Sequence, residues 1–373
     1  MKIWVRWVAL VLLSGPAVVP AQAAFSSLHI FGDGVSTTTN NTTGWPIYWG
    51  NRNCNGRVWV EVLAQRQGLT NNTITNVNWS YSSNNWSYFG QHSSNLVQNL
   101  NSFAAPTDAS TALFVVWVNN ADFVYDWENY PPFTTNNIAV WTNAINQSVT
   151  NHWRALTNLY YAKGARTLVM PNAVDITEVP AYTQAIPEYK SFIRARVIDF
   201  NTGFAAMLNQ ARASLPGITI YAPDFYTLLD NMLTNAATYG LTNALQDGHS
   251  IGAVDDSSLT DLSLNGPGGN YIFWDDSDPT ARAQEVMADI TQQLISPATI
   301  SNLTLFSGSN RLAVANIPLG LNGFVDGETN VVLGSWTSVT NITSTNATQM
   351  IFVPPSGPQQ FYRLRFPFAW SWP

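Results

Sequence analysis

Three short segments hold most of the side chains able to do chemistry. The first, Leu28-His29-Ile30-Phe31-Gly32-Asp33-Gly34-Val35-Ser36, reads as a short buried strand running into a sharp turn. The second is Trp117-Val118-Asn119-Asn120-Ala121-Asp122-Phe123, and the third is Tyr271-Ile272-Phe273-Trp274-Asp275-Asp276-Ser277-Asp278-Pro279-Thr280. Carboxylates and amides dominate, and imidazoles are scarce: His29, His92, His152 and His249. His29 inside the first strand reads as buried or edge-facing and His152 beside Trp153 as a surface or packing residue, which leaves His92 and His249 in loops. A nucleophile needs its base within hydrogen-bond reach, and Ser36 would need a shifted turn to form such a pair with His92. Plainer roles compete with chemical ones. Gly34 suits a strand-to-helix turn that demands a positive φ. Asp278 before Pro279 suits a helix N-cap followed by proline at the first helical position. No Cys-x-x-Cys pair, phosphate-cradling glycine loop or basic patch is present.

The elements that must position these segments follow from hydrophobic period. Ala112 to Val118 is a continuous apolar run, as expected for a strand buried on both faces. Ile138, Trp141, Ile145, Val149, Trp153 and Leu156 mark one face of a helix that Gly164 is placed to stop. Thr167–Met170 gives the next strand. Tyr189, Phe192, Ile193, Phe200, Phe204, Met207 and Leu208 mark another long helix, ended by Pro216-Gly217, and Ile218–Tyr221 is the strand after it. Alternating strand and helix predicts an α/β fold with a parallel sheet covered on both sides. A last helix starts near Asp278-Pro279 and runs through Leu294. Beyond Pro297 the pattern changes to short β-prone stretches at 300–306, 311–317, 331–333, 349–353 and 361–365, as in a small β-sandwich.

Composition bounds the class. Charged residues are 10% of the 373, well below the usual quarter or so. The formal charge of −7 would become −9 once Lys2 and Arg6 were removed. An acidic, charge-poor chain without a Lys/Arg run is a poor partner for nucleic acid or anionic membrane. Lys2 and Arg6, the apolar stretch Trp7–Leu13 and Ala21-Gln22-Ala23 resemble an export signal over 1–23, predicting a secreted or cell-envelope protein. No segment reaches transmembrane length, and Cys54 as the one cysteine excludes an intrachain disulfide. Aromatics cluster in two loops, Trp45, Tyr48 and Trp49, then Trp79, Tyr81, Trp86 and Tyr88. Such rings either cover the core edge or stack on sugars and other flat apolar ligands.

Four separated blocks resemble the SGNH or GDSL hydrolases, secreted esterases and lipases with a Gly-Asp-Ser-Leu signature. Gly32-Asp33 matches, but the serine position is Gly34. Asn55–Ala64 is similar to the helix that follows the nucleophile turn. Asn85–Gln91 resembles the glycine region, with Gly90 in the place of an oxyanion donor. In the block Gly-x-Asn-Asp, alignment on Asp122 puts Asn119 at the glycine and Ala121 at the asparagine, so Asn120 would donate only with a register slip of one. In the block Asp-x-x-His-Pro-Thr, Asp275 matches the acid and Asp278 stands in the histidine position. The resemblance implies a flavodoxin-like α/β/α sandwich over 25–296, and the change of pattern beyond Pro297 predicts a separate small β domain at 299–366 and a tail at 367–373. It also implies that Asp33, Asp275 and Asp278 converge, where crowded carboxylates share a proton or hold a hard cation. Their spacing matches no ligand set, so neither metal nor cofactor is expected.

Losing the serine or the histidine of such a triad each costs about a million-fold in turnover. The expectation is therefore a pseudoenzyme: an esterase scaffold whose cleft binds a ligand, a glycan, an ester or an acylated glycan. A working ester hydrolase with rearranged residues, and a surface adhesion protein acting through its β domain, are the other two readings.

Overall fold

The computed structural model describes residues 25–38, 47–67, 69, 84–317, 322–329, 336–343, 345–354 and 360–366. The export signal, Trp45, Trp79, Tyr81, the stretch 331–333 and the tail 367–373 lie outside the described residues.

Four parallel strands form the centre: β1 (Leu28–Gly32), β2 (Leu113–Trp117), β3 (Thr167–Val169) and β4 (Thr219–Tyr221), paired in that order. Strands β1 and β2 are buried along their whole length. Alternation sorts β2 to two faces: Phe114 and Val116 into one core, Leu113, Val115 and Trp117 into the other. The first core is closed by α2 (Ser93–Ser102), α4 (Ile138–Tyr161) and α6 (Pro187–Ser214). The second is closed by α1 (Trp59–Arg66), α7 (Phe225–Thr234) and α8 (Ala281–Ile295). Two shorter helices, α3 (Asn119–Asn129) and α5 (Pro180–Thr183), follow β2 and β3, and a two-residue hairpin pairs β5 (Leu245–Gln246) with β6 (His249–Ser250). The result is a three-layer α/β/α sandwich. The predicted helix stops hold: Gly164 and Gly217 adopt φ of +82° and +74° just past α4 and α6.

One sheet member escaped the sequence pattern. Ile30 N–H donates to Asn84 O at 2.8 Å, and Trp86 N–H donates to Ile30 O at 2.8 Å, so the chain at 84–86 runs parallel to β1 on its free side. With that edge the order becomes edge-β1-β2-β3-β4, the flavodoxin-like arrangement. Its topological switch point falls between β1 and β2, at their carboxyl ends. That is where the candidate residues lie.

Beyond α8 the strands are antiparallel. Strands β7 (Thr299–Phe306), β8 (Ser309–Ala315) and β11 (Gln349–Val353) make one sheet; β9 (Gly323–Glu328), β10 (Thr337–Ile342) and β12 (Phe361–Arg365) make the other. Leu312, Val314, Ile351 and Val353 from the first meet Val325 and Ile342 from the second in one small core. The buried Asp326 is gripped by Arg363 at 3.2 Å and Arg365 at 2.9 Å. Strands β9 and β10 were not anticipated, because Gly-Phe-Val-Asp-Gly-Glu and Thr-Ser-Val-Thr-Asn-Ile carry too few apolar residues to stand out.

Candidate functional site

A cavity of about 400 Å³ opens at the switch point. Asp33, Gly34, Gly90, Asn120 and Asp278 all line it, so five of the six residues singled out from sequence are brought together. The sixth, Asp275, lies behind Asp278 and shapes the loop that carries it.

Asp33 caps the single 3₁₀ turn Gly34–Ser36, its Oδ1 accepting from Val35 N–H at 3.2 Å, and its own N–H donates to Trp117 O at 3.2 Å. The turn is thereby tied to the end of β2. Burial pushes the Asp33 carboxyl up to about 7, partly offset by N–H groups of Val35 and Ala121. Gly34 does not have the expected positive φ. The backbone there would accept any residue, so conformational freedom does not explain the glycine. A Cβ on Gly34 would come 3.0 Å from Cδ2 of the exposed Phe89 ring and 3.3 Å from Asn53 Nδ2, so those two side chains would have to give way slightly. The Phe89 ring edge crowds the place a serine side chain would need.

Ser36 cannot act in its stead, which corrects the rearranged Ser36–His92 pair. It is fully buried, accepts from Trp59 Nε1–H at 3.0 Å, and sits under Gly32, whose added Cβ would lie 2.6 Å from Ser36 Cβ. His92 instead lies on the cavity wall, 3.4 Å from Ser94 Oγ, with its ring centroid 4.9 Å from that of Tyr125. Of the alternatives open for them, His29 and His152 take the buried, packing one. His29 stacks on Phe114, and His152 is buried against Phe200 and Phe204; burial lowers the pKa of both.

The donor side of the cleft keeps its polar groups. Gly90 has φ +74°, and its N–H has no acceptor among the described residues. Asn120 lines the cavity. Its Oδ1 accepts from Val174 N–H at 3.0 Å, which leaves the Nδ2 amide as the end available to the cavity. Asn119, by contrast, is buried, with Nδ2 donating to Pro171 O at 3.0 Å. Asp122 accepts from Ser93 N–H at 2.9 Å and from Ser148 Oγ, fastening α3 to α2 and α4.

The opposite side presents acids. Asp275 Oδ1 accepts from Ser277 N–H at 2.9 Å and Asp278 N–H at 2.7 Å, while its Oδ2 takes the Tyr48 hydroxyl at 2.8 Å. Burial raises the Asp275 pKa against the pull of these donors. Asp278 is 4% exposed, and burial, then Asp275 and Asp33, drive its pKa well above the carboxylate range. It does not cap α8, contrary to expectation. Thr280 does, its side chain accepting from Ala283 N–H at 3.2 Å. Asp33, Asp275 and Asp278 thus come near one another, but no group of three metal-ligating side chains with suitable placement exists among the described residues.

The walls are what sequence reading missed. Phe225, Leu228, Leu229 and Met232 of α7 face the cavity with Val174 and Val179 from the chain after β3. On sequence they are ordinary amphipathic-helix positions. The usable signal was topological, since connections leaving β3 and β4 must pass the same end of the sheet as those leaving β1 and β2.

The family model for GDSL-like lipases and acylhydrolases matches residues 28–291. A protein of Arabidopsis thaliana named as a GDSL esterase/lipase is 24% identical over 192 residues, which cover 50% of this chain and 49% of that one. The chain therefore spans about half the length of the curated relative it matches. Among solved structures, LAE5, an alpha/beta hydrolase enzyme from the metagenome of Lake Arreo in Spain, superposes with a TM-score of 0.39 and 11% identity, over 74% of this chain and 97% of that chain.

Proposed function

We propose, for a chain that belongs to the GDSL-like lipase/acylhydrolase family, that the cleft binds a ligand with an apolar chain and does not cleave it. Support comes chiefly from one observation: Gly34, the position of a nucleophile, lies on a cavity whose walls are largely Val, Leu, Met and aromatic. Ester hydrolysis by the covalent route needs a side-chain oxygen at that turn and a base opposite it. Here the first is absent and a buried carboxyl occupies the place of the second. What remains are donors, Gly90 N–H and Asn120 Nδ2, which can hold a carbonyl or hydroxyl without attacking it. The apolar walls favour an acyl or alkyl chain over the bare glycan expected from the loop aromatics, because burial of such a chain is worth about 25 cal/mol per Å² removed from water.

The test is titration with p-nitrophenyl octanoate, followed by tryptophan fluorescence and by absorbance of released p-nitrophenolate. Saturable quenching without release is expected. Turnover that a serine-directed phosphonate abolishes would reject the reading.

Two accompanying proposals concern the whole chain. Export through the segment 1–23 is supported by its charge and apolar pattern, and no helix among the described residues is long and apolar enough to cross a membrane. N-terminal sequencing of the protein recovered from its cell should begin near Ala24. Residues 25–296 and 299–366 are proposed as separate folding units, as their separate cores suggest; limited proteolysis should cut near Ser296–Ala298.

A further inference from the structure

A second cavity, of about 550 Å³, shares no lining residue with the cleft. That volume falls within the roughly 300–1,000 Å³ of small-molecule sites. Its walls come from three separated parts of the chain: the loop at Trp49 with the segment leading into α1, the turn at 264–270, and the start of α8. Asn55, 7% exposed, fastens them together. Its Nδ2 donates to Leu264 O at 2.9 Å, and its Oδ1 accepts from Ala281 N–H at 2.7 Å. Buried hydrogen bonds thus hold the walls in place.

Arg57 is the cation of this cavity. All 23 Asp and Glu of the chain lie among the described residues, yet none pairs with Arg57. Its one hydrogen bond among those residues runs from Nη1–H to the neutral Gln65 Oε1, at 2.6 Å. Glu285 lines the same space but is paired with Arg282 at 2.9 Å. Burial pulls the Arg57 pKa down, against the raising effect of Glu61 and Glu285. A half-buried guanidinium with most of its donors unspent gains most from a charged acceptor that fits its fork. Trp49 lines the cavity as well, its ring backed by the Arg52 guanidinium 4.6 Å from the centroid. An indole offers a flat apolar surface beside polar groups. Asn265 and Asn270 add exposed side-chain amides, which both donate and accept.

We infer that this second cavity binds a sugar acid, a uronate whose carboxylate pairs with Arg57 and whose ring rests on Trp49. A neutral sugar would leave the guanidinium without a counter-ion. A simple carboxylate would leave Trp49 and the amides unused. The site is separate from the cleft, so the assignment does not depend on whether the cleft binds or cleaves its own ligand.

The experiment is a saturation-transfer NMR titration of the purified full chain with glucuronate, glucose and acetate. Glucuronate should bind about tenfold or more tighter than glucose, the order expected of one charge-assisted pair. It should also bind about fivefold or more tighter than acetate, which has no ring for Trp49. Arg57→Gln should bring glucuronate down to the level of glucose while leaving glucose within about twofold, since only the charged partner is lost. Glucose binding as tightly as glucuronate overturns the assignment of the acid, and acetate binding as tightly overturns that of the sugar. Absence of saturable glucuronate binding overturns the site itself. An Arg57→Gln chain that takes glucuronate undiminished overturns the pairing. The ratios among the three probes are read on the unaltered chain, so they decide the matter whether or not the variant folds.

Discussion

The two sides of the cleft have fared differently. On the side of Gly90 and Asn120, the polar groups are a backbone N–H and an amide steered by Val174 N–H. On the side of Gly34 and Asp278, the chemistry would depend on particular side chains, and both are unsuited to it. Backbone donors persist wherever the fold persists, because strand ends and tight turns fix them; a nucleophile or base disappears with one substitution. The geometry of binding and the chemistry of cleavage are therefore separable in this fold, and the proposed reading is that only the first remains here.

The comparison breaks if the empty side can be refilled at no gain. Gly34→Ser with Asp278→His should create hydrolysis of a short p-nitrophenyl ester on the order of 10³-fold above the unaltered chain, if the donor side is still aligned. Adding Phe89→Ala should raise it further, because the ring edge lies 3.0 Å from the new Cβ. Background rates in both variants, equal to that of the unaltered chain, would mean that the donors are out of place.

Buried acids set the next effect. A carboxyl raised from 3.8 to about 7 holds its proton longer in the folded chain than in the unfolded one. Folded stability from Asp33 is thus fullest below about pH 3.8 and declines as pH climbs toward 7, by on the order of 4 kcal/mol in total. Asp33→Asn keeps an oxygen for Val35 N–H and should flatten that decline. Urea unfolding at pH 4.5 and pH 8 measures it. An identical pH dependence in both proteins would contradict the burial argument.

Smaller changes sharpen the roles of neighbours. Ser36→Ala should cost about 1–3 kcal/mol by orphaning Trp59 Nε1–H, with ligand binding unchanged. Loss of binding instead would return Ser36 to the site. Thr280→Ala should cost about 1 kcal/mol as a lost cap, read by thermal unfolding, whereas Asp278→Ala should leave α8 intact by helical circular dichroism.

Much of the scaffold was legible because strong local signals agreed with global ones. The run Ala112–Val118 and the helix faces ending at Gly164 and Gly217 each had one reading. The edge chain at Asn84-Asn85-Trp86 did not, since it pairs through backbone alone and shows no alternation. At the site, Gly34 was recognisable as an absence, but its neighbour Phe89 was not, because a loop ring brought near only by the fold leaves no spacing to read. Asp278 looked like a cap because Asp-Pro is a common helix start; Thr280 holds that role as the residue immediately before Ala281. The cleft wall on α7 was indistinguishable from core until the strand order showed which end of the sheet it faced.

The covalent route itself is best interrogated by intact-mass and peptide spectrometry after exposure to an excess of an activated fluorophosphonate ester. The chain should emerge with its mass unchanged, and the peptide spanning Leu28 to Arg52 should carry no adduct. A stoichiometric adduct on that peptide would show that the turn still holds a working nucleophile, and the account would be wrong.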